Sequence, residues 1–405
     1  MTADSERLAQ PPARPPAPSR ELRAARAGTA LVFAVHGAAM GTFAARIPWI
    51  ADHVGLDVGG LGVALLMPGL GALSAMPASG GLIHRFRLNT LTRTLMLAWC
   101  AALILPSLPT SLLGLCVALA VFGGASGLAD VTMNAHAVLV EERYGRSLMS
   151  GLHGMWSVGV LSGSGVAALA AHAEVDARLH FTIMSVFLAV VTVVACTALI
   201  GHRPDQAQQA PPAFALPSRQ ILPIGLVGLC AVFGEGAGQD WSATFVKEHL
   251  DGDASTAALT VAVFAGCMAA ARFAGDRMVE RLGPVRAVRT VAACATTGAL
   301  LVLAAPTIPV AIAGFALLGV GVSIVVPLAF AAAGRVGPHP GRSIAGVAGI
   351  AYGAGLLAPG LIGGVARVWS LSASFGAVAL LCLVMGLSAG VLRPAAAGGP
   401  DTPAP

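Results

Sequence analysis

Residues 111–138 of the sequence read SLLGLCVALAVFGGASGLADVTMNAHAV, and Asp130 is their one charged residue. A helix that crosses a bilayer needs about 20 consecutive, predominantly apolar residues, and this stretch exceeds that length. Its glycines and other small residues are typical of helices that pack closely in lipid. The stretch therefore predicts a transmembrane helix that carries an ionisable group.

The rest of the chain repeats this pattern. Of its 405 residues, 56% are apolar and 11% are charged, and the mean hydropathy is +0.80, whereas soluble domains contain roughly 25% charged residues. This composition excludes a soluble enzyme, a disordered protein and a nucleic-acid-binding protein. We predict an all-α polytopic membrane protein with twelve spans, at 28–50, 58–82, 91–108, 111–138, 148–170, 178–200, 221–244, 255–275, 287–304, 308–333, 343–366 and 370–392.

A polar break at residues 201–220 divides these spans into six and six. The halves resemble each other, because Gly-Arg-Ser opens span five at 145–147 and span eleven at 341–343. Duplicated six-span halves are the architecture of many secondary transporters. The predicted parts are a disordered tail (1–26), an N-terminal bundle (27–200), a linker (201–220), a C-terminal bundle (221–393) and a second tail (394–405).

Basic residues fall mainly on one side of the predicted spans. With the N-terminus inside, 20 basic residues lie on the cytoplasmic side, among them Arg272 and Arg277, and four lie outside. Because cytoplasmic loops carry an excess of Arg and Lys, both termini are predicted to be cytoplasmic, in a bacterial-type inner membrane. The four outer residues are Arg46, Arg178, Arg367 and Lys247, the only lysine in the chain.

Ionisable residues inside spans are costly and usually face a cavity or a partner. Asp130 and Asn134 are four residues apart in span four, so they share a helix face. His153 and Trp156 are three apart in span five, at a similar predicted depth. We predict that Asp130 and His153 share a proton and that Trp156 stacks on a substrate ring or packs in the core.

Span seven supplies a second pair. Glu235 lies near its middle, and Gln239 follows four residues later on the same face. Asp240 is nearer the outer end, a position more typical of an interfacial residue. In span one, His36 and Arg46 are weaker candidates, and Arg46 is close enough to the interface to extend its charge towards water. Three G-x-x-x-G pairs predict close helix packing: Gly123/Gly127, Gly159/Gly163 and Gly360/Gly364.

Other functional classes find no support in the sequence. The seven cysteines lie in apolar stretches without a C-x-x-C pair, so inert buried thiols are expected, with no metal or other cofactor. There is no Walker lysine, which argues against ATP-driven transport. The expected partners are the bilayer, a small-molecule substrate and protons, with no nucleic acid, and a monomer is expected.

Residues 275–284, Gly-Asp-Arg-Met-Val-Glu-Arg-Leu-Gly-Pro, lie between spans eight and nine. Together with the six-plus-six layout, they resemble the loop motif of the major facilitator superfamily. The resemblance implies a conformational role for Gly275, Asp276 and Arg277, and for Arg85 in the equivalent loop of the N-terminal half.

A closer resemblance is to the fucose permease-like subgroup. That subgroup has an acid followed four residues later by Asn in span four, as at Asp130 and Asn134. Its span five has a polar residue before an aromatic or amide, then Ser and Gly, and here these are His153, Trp156, Ser157 and Gly159. The resemblance implies proton-coupled uptake of a sugar-like solute, with Asp130 as the proton site and spans one, four, five and seven around a central cavity.

The predicted function is secondary transport of a small solute by alternating access. Asp130, Asn134, His153, Trp156, Glu235 and Gln239 would bind the substrate, and Asp130, His153 and Glu235 would couple it to protons. The alternative is a proton-driven efflux antiporter of amphipathic compounds with the same fold. A membrane-embedded sensor or enzyme is less favoured, because we find no output module and no nucleophile or metal cluster.

Overall fold

The computed structural model describes residues 19–145, 148–201, 219–336 and 340–393, and all regular secondary structure within them is helical. The α-helices are α1 (Arg20–Val54), α2 (Val58–Arg85), α3 (Leu88–Ala102), α4 (Leu112–Tyr144), α5 (Met149–His172), α6 (Ala177–Cys196), α7 (Leu222–Leu250), α8 (Ala254–Leu303), α9 (Ile308–Val322), α10 (Val325–Ala333), α11 (Pro340–Val368) and α12 (Leu371–Ser388). Short 3₁₀ helices cover Leu105–Ser107 and Ala389–Leu392.

These helices provide twelve candidate membrane crossings within the described ranges. α8 supplies two of them, the arms Ala254–Gly275 and Arg277–Leu303, and it is kinked at Gly283 (φ +72°) and Pro284 near the start of the second arm. α9 and α10 together form one crossing, Ile308–Ala333. The predicted all-α, twelve-span fold is therefore confirmed.

The first helix begins earlier in the sequence than predicted. α1 begins at Arg20, where the Ser19 hydroxyl accepts a hydrogen bond from the backbone N–H of Leu22. Residues 20–26 are thus helical rather than part of the predicted disordered tail. Residues 1–18, 202–218 and 394–405, which hold most of the predicted tails and linker, lie outside the described residues.

The two ends of the bundles differ in charge. We call the end with Asp52, Asp57, Asp176, Asp251 and Asp253 the acidic end, and the end with Arg85, Arg87, Arg143, Arg277 and Arg281 the basic end. Asp57, Asp176 and Asp253 accept hydrogen bonds from the first backbone N–H groups of α2, α6 and α8. A cap of this kind contributes about 1 kcal/mol. Hydrogen bonds from the Ser255 hydroxyl and the Thr256 N–H lower the pKa of Asp253, which keeps that cap ionised at neutral pH.

Small residues set the spacing of the helices in the N-terminal bundle. A Cβ at Gly159 would lie 2.0 Å from the Ala34 carbonyl oxygen of α1, and a Cβ at Gly163 would lie 2.1 Å from that of Ala38. Gly123 and Gly127 allow a similar approach of α4 to α2. These two predicted packing pairs are confirmed. In the third pair, Gly360 contacts Leu66, whereas a Cβ at Gly364 would have no neighbour within 4 Å.

The two bundles are in contact at the acidic end. Lys247 of α7 forms an ion pair with Asp52 of α1, and the backbones of Gly62 in α2 and Gly363 in α11 nearly meet. Towards the basic end, Gly349 and Gly353 of α11 have no atoms within 4 Å of a Cβ position. The space between α2 and α11 therefore widens towards the basic end.

Candidate substrate and coupling site

Asp130 and Asn134 lie together on α4, as their spacing predicts. The side-chain amide of Asn134 donates to Asp130 Oδ1 at 3.1 Å and to the Asp130 carbonyl oxygen at 2.9 Å. Both side chains are half-buried. Asp130 is therefore a partly accessible carboxylate within a span.

His153 does not form the predicted pair with Asp130. Its ring packs edge-on against Phe33 of α1, with centroids 5.3 Å apart and planes at 80°, and the described hydrogen bonds include none between His153 and Asp130. His153 is exposed, and the charge of Arg272 acts on it. His153 thus faces the space between the bundles as a separate polar group.

Trp156 is hydrogen-bonded to His36, which the sequence ranked as a weaker candidate. The indole Nε1–H donates to His36 Nδ1 at 3.0 Å. Because an indole N–H can only donate, Nδ1 carries no proton and Nε2 does. His36 Nε2 lies 3.4 Å from the Ser126 carbonyl oxygen and 3.3 Å from its hydroxyl. This network fixes the neutral tautomer of His36 and the orientation of the Trp156 ring.

Glu235 is paired with Arg272, one of the basic residues predicted on the cytoplasmic side. Arg272 Nη2 lies 3.1 Å from both carboxylate oxygens of Glu235. Its Nη1 donates to the Ser157 hydroxyl of α5 at 2.7 Å, and its Nε donates to the Ser323 carbonyl oxygen at 3.1 Å. The guanidinium therefore joins α7 and α8 of one bundle to α5 of the other.

Arg272 was predicted only as a cytoplasmic basic residue, not as a site residue. It lies within the first arm of α8, Ala254–Gly275, and its side chain is 12% exposed. The predicted span at 255–275 already contained it, and an ionisable residue inside a span calls for a partner. Because Arg277 and Arg281 follow it in the sequence, Arg272 was counted with them as a cytoplasmic charge and its need for a partner was missed.

Arg46 also departs from its prediction. The residue is 5% exposed, and its Nε and Nη2 have no hydrogen-bond partner among the described residues. Its charge acts on Asp176 and His180 within the N-terminal bundle. Arg46 is therefore buried among the helices of the N-terminal bundle.

The loop-motif residues are described in part. Gly275 is buried, and a Cβ there would lie 2.5 Å from Cγ2 of Ile324. Arg277 is exposed, and the exposed Arg85 stacks over the ring of Phe86 at 5.7 Å. The side chain of Asp276 lies outside the described residues. Gly275 thus lets the end of this arm approach the junction of α9 and α10.

The remaining predicted residue, Gln239, is 6% exposed and lies one turn beyond Glu235 on α7. Asp130 and His153 thus come from the N-terminal bundle, and Glu235 with Arg272 from the C-terminal bundle. These side chains supply carboxylate, amide, imidazole and guanidinium groups within the spans. Such groups can bind hydroxyl-bearing solutes and hold protons.

Comparison with known proteins agrees with this architecture. The chain matches the Major Facilitator Superfamily over residues 29–356 and 224–405. It is 33% identical to an uncharacterised MFS-type transporter of Yersinia pestis, over 89% of this chain and 94% of that protein. It is 32% identical to an uncharacterised transporter of Sinorhizobium fredii, over 90% of this chain and 97% of that protein.

Solved structures show the same fold. The nucleoside transporter NupG superposes with a TM-score of 0.70 at 13% identity, covering 92% of this chain and 99% of that chain. A bacterial homologue of the human lysosomal transporter Spinster superposes with a TM-score of 0.65 at 14% identity, covering 93% of this chain and 97% of that chain. The chain therefore belongs to the major facilitator superfamily and is a multi-pass membrane transporter.

Proposed function

We propose that this transporter moves a small hydrophilic, sugar-like solute into the cell together with protons. One observation carries the proposal, namely the hydrogen bond by which Arg272 of one bundle reaches Ser157 of the other. In an alternating-access cycle the two bundles rock against each other. The hydrogen bond between Arg272 and Ser157 crosses their interface beside the carboxylate of Glu235. It can break and re-form as protons and substrate bind.

The charges of the site favour an uncharged solute over an anion. Arg272 already donates four of its five N–H groups to Glu235, Ser157 and Ser323, and Glu235 balances its charge, so it attracts a substrate carboxylate or phosphate only weakly. Asp130 and Asn134 present acceptors and amide donors on one face, a pattern that suits hydroxyl groups. The reported relatives do not test the fucose permease-like resemblance, and the sugar class therefore stays a prediction.

A ligand screen on the purified protein tests the substrate class. A ligand that binds only the folded state raises its apparent stability, by about 2.7 kcal/mol at one hundred times its dissociation constant. We expect sugars or polyols to raise the unfolding temperature. Stabilisation by amphipathic drugs alone would favour the efflux alternative.

Energy coupling is tested at Asp130, the proposed proton site. Asp130→Asn keeps the shape of the side chain and removes its titratable proton. We expect accumulation of the solute against its gradient to be lost, while counterflow exchange in proteoliposomes survives. Asn134→Asp serves as the matched control, because it changes the neighbouring side chain on the same face of α4 and leaves the Asp130 carboxyl group in place. Undiminished accumulation by Asp130→Asn would remove Asp130 from the coupling mechanism.

We also propose that the protein is a monomer in the inner membrane, with the acidic end outside and both termini in the cytoplasm. Its single lysine makes this testable, because Lys247 is 24% exposed at the acidic end. We expect a membrane-impermeant amine reagent to label Lys247 in intact cells. Asp52→Asn should raise the labelling rate up to about fivefold, the value of an exposed ion pair of about 1 kcal/mol. Labelling only after permeabilisation would reverse the orientation.

A further inference from the structure

A groove runs along the surface of the C-terminal bundle between α12 and the second arm of α8, Arg277–Leu303. Its volume is about 390 Å³, within the range of about 300–1,000 Å³ that is typical of small-molecule sites. The buried residues Ala292 and Cys382 form its floor, and Leu383 and Leu387 are exposed along its wall. Since these leucines are exposed within a membrane crossing, the groove opens towards lipid.

The two helices that form the groove are antiparallel and keep a constant register. The Cβ position of Gly386 in α12 lies 3.1 Å from Cβ of Ala292 in α8. The Cβ position of Gly376, earlier in α12, lies 3.7 Å from Cδ2 of Leu303, later in α8. Gly386 therefore lets the helices approach closely at the floor of the groove. Beyond this contact both helices continue to the basic end, where the second arm of α8 begins and α12 ends.

Three exposed arginines lie at the basic end of this groove. Arg289 lines the groove itself. Its Cα–Cβ bond leans towards the N-terminus of its helix, which is at the basic end, so its charge extends towards the lipid headgroups. Arg286 precedes it by one turn and is also exposed. The register beyond Gly386 brings the exposed Arg393 close to the level of Arg286.

Within the described residues, none of these arginines has an acidic partner. Residues 284–303 and 371–393 contain no Asp or Glu, and the three arginines are their only charged residues. The ion pairs of the described residues include none of them. Glu280, the acidic residue nearest to Arg286 in sequence, is exposed and precedes the kink at Gly283. The groove therefore combines an apolar floor with an unbalanced positive charge at one end.

We propose that this groove binds an anionic phospholipid from the leaflet at the basic end. The guanidinium of Arg289 can donate two parallel N–H groups to the phosphate, and Arg286 and Arg393 add attraction for a headgroup of net negative charge. One acyl chain then lies along Leu383 and Leu387. Basic pockets between membrane helices bind anionic headgroups in this way. The inference goes beyond the proposed function, because it depends on neither the solute nor the direction of transport.

Native mass spectrometry of the full-length protein in detergent tests this proposal, with phosphatidylglycerol and phosphatidylethanolamine of the same acyl chains as probes. We expect the first phosphatidylglycerol to bind at least about fivefold more tightly, because each arginine near an anionic lipid contributes a factor of about five. Arg289→Gln should weaken phosphatidylglycerol binding by about fivefold for the same reason. Arg143→Gln, at an exposed position on the basic end of the N-terminal bundle, is the matched control and should leave that binding unchanged.

A second pair of variants separates the groove from a general attraction to the basic end. Ala293→Trp fills the groove from an exposed position that lines it and keeps all three arginines, so phosphatidylglycerol binding should fall at least as much as in Arg289→Gln. Leu300→Trp adds the same side chain at an exposed position of the same helix outside the groove and should have no effect.

Three results would overturn the proposal: equal binding of the two lipids, equal losses in Arg289→Gln and Arg143→Gln, or no loss in Ala293→Trp. A dimer that Ala293→Trp dissociates would also overturn it, because a second copy of the chain would then occupy the groove. These measurements need no transport assay, so their failure leaves the proposed function untouched.

Discussion

Replacing Arg272 by glutamine should lower the free energy of unfolding by about 3–5 kcal/mol, the usual cost of breaking a buried ion pair from one side. The substitution leaves Glu235, whose side chain is 19% exposed, without its counter-charge. It also removes the N–H groups that Arg272 donates to the Ser157 hydroxyl oxygen and the Ser323 carbonyl oxygen. Thermal or denaturant unfolding of the purified protein in detergent measures the loss.

Two variants make this prediction specific. Arg272→Gln combined with Glu235→Gln removes both charges and should recover most of the lost stability, because no unpaired charge remains. Arg277→Gln, five residues later at an exposed position, should change the stability by less than about 0.5 kcal/mol. Equal losses in the single and double variants would show that the pair does not determine the effect.

Gly159→Ala should destabilise the N-terminal bundle by about 3 kcal/mol, the upper range of overpacking effects. The added Cβ would lie 2.0 Å from the Ala34 carbonyl oxygen, which is backbone and cannot rotate away. α1 and α5 must then separate, which also strains the hydrogen bond from Trp156 to His36. The same unfolding measurement reports the loss.

Gly165→Ala is the matched control on the same helix. A Cβ there has no neighbour within 4 Å, and alanine is favoured over glycine inside a helix by up to about 1 kcal/mol. We expect this variant to be as stable as the original protein or slightly more stable. If both alanine variants behaved alike, helix propensity rather than close packing of α1 on α5 would explain the result.

Pairs within one helix were predicted well, because their geometry depends on the helical repeat alone. Asn134 bonds to Asp130 as the i,i+4 spacing requires. The partners across helices were not predicted. The pair expected between Asp130 and His153 gave way to contacts of His153 with Phe33 and of Trp156 with His36.

The sequence by itself determined the twelve crossings and the six-plus-six division. Apolar length decides whether a segment crosses lipid, and the Asp residues that cap α2, α6 and α8 are local signals as well. It also placed Asp130 and Glu235 inside crossings, because position along a helix follows from counting residues.

Only the tertiary structure decided which of those groups are neutralised. Arg272 is opposite Glu235 and Ser157, whereas Asp240 is opposite no described partner, and nothing in the spacing along α7 or α8 separates these outcomes. The physical reason is that a side chain's counter-charge comes from whichever helix packs against it. That choice is set by the close approach of small residues on helices far apart in the chain.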